Sequence, residues 1–156
     1  MREKYSANVL AATLFGLGNA PVAPGTVATL AAGVPCFLAI GYLSPIFQIL
    51  ASAGLLAAGC MVSDKAEREL EKTDPQQIVI DELCGFLIAM IAHPVTFPSI
   101  LTGFALFRLF DIWKPWPLRL MQERLNGGLG VMMDDVGAGI YANILGLIIL
   151  RLFGYW

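Results

Sequence analysis

Charge in this chain comes in islands. No charged residue occurs between Lys4 and Asp64, between Glu82 and Arg108, or between Asp135 and Arg151. The intervals are apolar blocks punctuated by Gly and Ala, which have to be buried against one another or against lipid. Composition agrees: of 156 residues 57% are hydrophobic and 14% charged, with a mean hydropathy of +0.70, more apolar than an ordinary soluble domain. Disorder is excluded on this basis, and 10 Lys+Arg against 12 Asp+Glu exclude a strongly basic nucleic-acid binder. The length is that of one domain, residues 1–156,. The fold class expected is all-α, a compact bundle of apolar helices and helical hairpins embedded in a membrane.

Ser44-Pro45 divides the first long block into Thr29 to Leu43 and Ile46 to Val62, each near the ~17 to 25 residues that span a bilayer. Together they predict a tight helical hairpin. A third block, Leu83 to Ala92, breaks at His93-Pro94, and Ser99 to Phe110 forms a fourth; at ~1.5 Å per residue each covers only ~15 to 20 Å. The fifth, Val136 to Phe153, is long enough to cross, with Asn143 inside it, Arg151 near its end and Tyr155 and Trp156 as interfacial anchors,.

Arg2 and Lys4 ahead of Val9 to Leu17 imitate a secretory signal, but the turn-rich Asn19 to Thr26 that follows favours a short interfacial segment,. Cys36, Cys60 and Cys84 lack metal or disulfide spacings and read as reduced core residues; His93 reads as a loop residue,. The mixed charges from Asp64 to Asp74 predict a solvated helix ended by Thr73-Asp74-Pro75, with Asp74 able to face a site nearby,.

The remaining acids stand at block ends. Asp81 and Glu82 open block three, Asp111 closes block four, and Asp134 and Asp135 open block five. An antiparallel hairpin of blocks three and four, with block five starting from the same side after a loop from Ile112 to Met133, brings these five carboxylates together at one membrane face. Like charges at ~4 Å repel by about 4 kcal/mol at an effective dielectric near 20. A hard divalent cation relieves this, and oxygen-only ligands favour Mg²⁺. The alternative is that the acids cap helix N-termini and pair with Arg108 and Arg119, although Asp111 sits at the wrong end of its block for capping.

Arg108, Lys114 and Arg119 flank Asp111, a mixture suited to an anionic, lipid-like substrate,. Trp113 and Trp116 prefer the headgroup interface. Pro24-Gly25-Thr26 opens a helix, and Asn126-Gly127-Gly128-Leu129-Gly130 precedes the Asp pair. Both read as turns whose exposed amides could take phosphate, and neither matches a nucleotide-binding fingerprint.

Pro24-Gly25-Thr26, Ile78-Val-Ile-Asp81-Glu82, Phe107-Arg108-Leu-Phe-Asp111-Ile-Trp113-Lys114-Pro115-Trp116-Pro117 and Gly127-Gly128-Leu-Gly-Val-Met-Met-Asp134-Asp135 together resemble the phosphatidylglycerophosphatase A family, in order, from about Gly16 to Gly146. The resemblance implies an all-helical, membrane-embedded, Mg²⁺-dependent phosphatase that converts phosphatidylglycerophosphate to phosphatidylglycerol in lipid biosynthesis. It places the enzyme in the inner membrane of a bacterium with its site facing the cytoplasm. Its motif positions here are Asp81, Glu82, Asp111, Asp134 and Asp135, accompanied by Asn19, Gly25, Thr26, Arg108 and Lys114.

Our assignment of roles makes those five acids the metal ligands, with Asp81, Asp111 and Asp135 foremost. Glu82 or Asp134 accepts a proton from water, Lys114 and Arg108 offset phosphate charge, and Asn19, Gly25 and Thr26 bind substrate. Aspartyl-phosphate chemistry lacks its Asp-x-Asp, and no Cys is followed by Arg six positions on. The competing function is a small divalent-cation transporter or non-catalytic membrane scaffold using the same acids, which acids at block ends disfavour.

Overall fold

The computed structural model describes residues 6–73, 75–120, 125 and 127–155. Arg2, Lys4, Asp74, Asn126 and Trp156, to which the sequence assigned signal-like, anchoring, turn or site-facing parts, lie outside them. Among the described residues all regular structure is helical. Ser6 caps α1 (Ala7–Ala12) by accepting from the Val9 amide. A 3₁₀ turn follows, and Pro24 then occupies the first position of α2 (Pro24–Ala28), where its missing amide costs nothing,. A π-helical turn carries α2 into α3 (Val34–Ile40). The remaining helices are α4 (Pro45–Leu70), α5 (Ile80–Ala89), α6 (Phe97–Trp113) and α7 (Gly127–Leu152).

Two of these boundaries differ from the sequence reading. The charged island is no separate helix: α4 runs through it and stops at Leu70, with Glu71 in the left-handed conformation, before Thr73-Asp74-Pro75 is reached. Mixed Glu, Lys and Arg are good helix formers, so nothing local ends the helix earlier. Likewise α7 begins at Gly127, not Val136, and takes in the glycines read as a turn. They are helical because of packing: a Cβ on Gly128 would lie 1.9 Å from the Cys60 carbonyl oxygen, so α4 and α7 touch there only because the side chain is absent,.

The short α5 is the centre of the bundle, with α4, α6 and α7 packed on it. Leu83, Cys84, Phe86, Leu87 and Ala89 are buried, and Phe86 meets Phe107 of α6 at a ring-centroid distance of 6.2 Å. Closest approach to α7 occurs at Gly139, whose Cβ would sit 2.3 Å from the Gly85 carbonyl oxygen. The predicted first hairpin is looser than expected. Its arms lean onto α5 more than onto each other, the π turn by letting Phe86 pack on Gly33.

Two helices, α4 and α7, are long and apolar enough to cross a membrane; their 26 residues each measure about 39 Å. Helix α4 is inside-out by soluble standards. It buries Gln48, Ser52, Gly59 and Ser63 while Ile46, Phe47, Ile49, Leu50 and Met61 face outward. Helices α6 and α7 expose Leu101, Leu109, Ile140, Ile144 and Ile148 in the same way. An outward apolar surface around a partly polar interior is what lipid selects and water rejects.

The interior polar groups tie down the turns far from the acids. Gln48 donates to the carbonyls of Gly41 and Leu43 and accepts from the Ala92 amide. Asn143 donates to the carbonyls of Ala89 and Ile91. The predicted interruption of block five is therefore a cap for the C-terminal carbonyls of α5. His93 lies in the loop as expected but is buried beside Asn143. The three cysteines are free.

Candidate active site

Asp81 and Glu82 occupy the first turn of α5, Asp111 the last turn of α6, and Asp134 and Asp135 lie about two turns inside α7. The antiparallel α5–α6 pair and the Gly85–Gly139 contact bring all five into one pocket of about 380 Å³, together with Gly25, Arg108 and Lys114. Capping cannot account for Asp134 and Asp135, because α7 has already begun, and Arg119 is exposed and does not line the pocket. Thr26 is also absent from the lining, and Asn19 belongs to an adjoining cavity. Gln76 and Ile78 complete the wall. Gln76 carried no sequence signal beyond its place after Pro75, because its contribution depends on a contact distant in sequence.

Within the pocket the acids divide into three kinds. Asp111 Oδ2 forms an ion pair with Arg108 Nη1 at 2.7 Å, one helical turn apart. Asp134 Oδ2 holds Lys114 Nζ, and its Oδ1 accepts from the Asp135 amide at 3.1 Å. Asp81, Glu82 and Asp135 each offer a carboxylate oxygen, all within 4.8 Å of one another. Asp81 Oδ1, Glu82 Oε2 and Asp135 Oδ2 are enclosed without a hydrogen-bond donor. Three carboxyl groups converging this closely, each with one oxygen that lacks a donor, form an oxygen-only set that fits a hard divalent cation,. Asp111 and Asp134, also expected as ligands, pair with the two basic side chains.

The surroundings explain the electrostatics. Burial, then the charges of Glu82 and Asp135, push the Asp81 carboxyl well above the ordinary carboxylate range,. Although Asp81 as a residue is partly exposed, its Oδ1 is fully enclosed. Burial also raises Glu82. Burial opposes the charge on Lys114, but the Asp134 carboxylate outweighs it and holds Lys114 above its usual value. Gly25 is required beside Glu82: a Cβ there would lie 2.0 Å from Oε1. Lys114 ends α6 in the left-handed conformation, its amide bonded to the Phe110 carbonyl, and Pro115 prevents further helix,. Trp113 and Trp116 stand beside it, 68% and 81% exposed.

Among the described residues, an all-helical bundle with two helices long and apolar enough to cross a membrane holds clustered acids, an arginine and a lysine in one pocket, an arrangement suited to a phosphate-ester hydrolase. The chain belongs to the phosphatidylglycerophosphatase A family, whose model matches residues 10–150. It is 36% identical over 148 residues to phosphatidylglycerophosphatase A of Haemophilus influenzae, covering 94% of this chain and 88% of the relative. The Escherichia coli protein of the same name is 33% identical over 133 residues, covering 84% and 76%. A Bacteroides thetaiotaomicron protein, provisionally named a phosphatidylinositol-3-phosphatase, is 40% identical over 144 residues, covering 88% and 89%. No solved structure matches the chain.

Proposed function

We propose that this phosphatase removes the terminal phosphate of phosphatidylglycerophosphate, with Mg²⁺, at the cytoplasmic face of a bacterial inner membrane, and so supplies phosphatidylglycerol. The observation that carries the reading is the division of the pocket: three carboxyl groups, each with one oxygen that lacks a donor, stand next to two cations held by the other two carboxylates. In this reading Asp81, Glu82 and Asp135 hold Mg²⁺. When bound, such an ion polarises a phosphoryl oxygen and makes a water more acidic.

The side chains do the rest. Asp111 and Asp134 orient Arg108 and Lys114, which bind the phosphoryl oxygens and offset their growing charge. Glu82 or Asp134, both lining the pocket, takes the proton of the attacking water,. The bond from phosphorus to the glycerol oxygen then breaks, and that oxygen is protonated as it leaves. Lipid phosphates named for the relatives share one plan: a phosphomonoester on a hydroxylated unit, joined through a phosphodiester to diacylglycerol.

Phosphate release from phosphatidylglycerophosphate in detergent micelles, with Mg²⁺ or chelator, tests the reading, with Asp111→Asn beside the wild type. Release that needs both the metal and Asp111 is expected. No release with any divalent metal overturns it.

A further inference from the structure

A second cavity, of about 530 Å³, adjoins the acidic one and shares Ala23, Pro24 and Gln76 with it. Its other described walls are Gly18, Asn19, Ala20, Pro21 and Gln77, so among the described residues no charged side chain lines it. The two segments that form it are clamped together. A Cβ on Gly18 would lie 1.9 Å from the Gln77 carbonyl oxygen, and the Val79 amide donates to the Ala12 carbonyl at 2.9 Å. Ala23 holds the left-handed conformation at the junction of the cavities, a strained arrangement for a residue with a side chain. Phe15 and Val22 of the same segment are exposed apolar residues.

The contrast in lining chemistry matches one kind of ligand. Arg108 and Lys114 stand in the acidic pocket beside the place for a phosphomonoester, where a dianion needs them. The adjoining cavity offers primary amides, which both donate and accept and so suit hydroxyl groups. An amide can also donate to a singly charged phosphodiester without a cation. We propose that Asn19, Gln76 and Gln77 form a subsite for the hydroxylated spacer between the scissile phosphomonoester and the lipid phosphodiester. The enzyme thereby distinguishes headgroup phosphates from phosphatidic acid, whose monoester sits directly on diacylglycerol. This inference rests on the proposed phosphatase reading and adds the determinant of its specificity.

The test compares kcat/KM for short-chain phosphatidylglycerophosphate and short-chain phosphatidic acid in mixed micelles, for wild type, Asn19→Ala and Gln77→Ala. Losing one neutral hydrogen bond should lower the ratio of the two values by roughly five- to tenfold in each variant. Circular dichroism melts of each variant confirm that the fold is retained. Weaker inhibition by glycerol 3-phosphate, with inhibition by inorganic phosphate maintained, is the second expected result. A ratio and inhibition pattern unchanged from wild type, or an equal loss on both lipids, overturns the subsite while leaving the phosphatase reading intact. A wild type that releases phosphate from neither lipid overturns the phosphatase reading and the subsite with it.

Discussion

Asp135→Asn should make the metal-free protein more stable and the enzyme almost inactive. The Asp135 carboxylate approaches those of Asp81 and Glu82 with all three oxygens inside 4.8 Å; at that separation and an effective dielectric near 20, each charged pair costs about 3.5 kcal/mol. Two pairs would cost twice that, but protonation sets a limit. Holding one aspartate neutral at pH 7 costs only about 4 kcal/mol, so the cluster takes up a proton instead. Part of the relief is offset by seating an uncharged amide among buried groups, which costs about 1 to 3 kcal/mol where its partners are imperfect. The net gain is about 1 to 3 kcal/mol, a rise in melting temperature of roughly 3 to 10 °C for a chain of this size. Circular dichroism melts in detergent, with chelator and then with excess Mg²⁺, read this directly. The wild type should gain stability on adding Mg²⁺ through its binding free energy, and the variant should lose most of that gain along with phosphate release. An Asp135→Asn protein that melts lower than wild type in chelator, or turns over at a near-normal rate, refutes the reasoning.

Gly25→Ala places a methyl group 2.0 Å from Glu82 Oε1, so the carboxylate must move; a displacement of about 1 Å can cost a hundredfold in rate, and kinetics should show such a loss with helical content retained. Asn143→Leu removes the Asn143 donor from the Ala89 carbonyl and from the Ile91 carbonyl, which retains only His93 Nδ1 at 3.3 Å, and should cost about 2 kcal/mol, measured as a lower melting temperature with the Mg²⁺-induced increment preserved. In chelator, stability should fall as pH rises. Asp81 and Glu82 titrate above their ordinary values in the folded state, so between the ordinary and raised values the native protein binds more protons than the unfolded chain, and the slope of stability against pH is negative. Lys114, also raised, contributes stability that is complete below its unfolded value and lost as pH passes the folded one, adding the same sign at alkaline pH. Melts in chelator from about pH 5 to about pH 8 that stay level or rise would contradict this assignment.

The acids were legible in the sequence because charge is scarce and its placement at block ends has few explanations. Asp81, Glu82, Asp111, Asp134 and Asp135 converge as the hairpin argument requires. Their division of labour was not legible. Whether Asp111 faces a metal or Arg108 depends on a helical turn of α6, and whether Asp134 faces a metal or Lys114 depends on the crossing of α6 and α7, which is a long-range property. The start of α7 was misplaced for a related reason. Local propensity counts Gly127, Gly128 and Gly130 against a helix, whereas Gly128 is where α4 and α7 touch. Thr26 does not line the acidic pocket although it follows Gly25, because adjacent helical positions point about 100° apart.

The same α4–α7 contacts fix how deep the site lies. Gly59 packs on Met132 and Gly128 on Cys60, so the helices run antiparallel, and Asp134 and Asp135, further along α7, stand level with the apolar stretch of α4. The charged residues that begin at Asp64 lie beyond them. The carboxylates therefore stand level with the apolar part of α4 and not with its charged end, with exposed Trp113 and Trp116 on the neighbouring helix end and loop. That level strengthens every charge interaction, because less water screens it. In the proposed reading, the same low screening that strengthens repulsion within the triad would strengthen its attraction for a divalent cation. For a substrate whose phosphate is tethered to a membrane this depth has a further effect. A headgroup can bring its phosphomonoester down to the acids while its acyl chains stay in lipid, so binding free energy from the chains helps position the scissile bond.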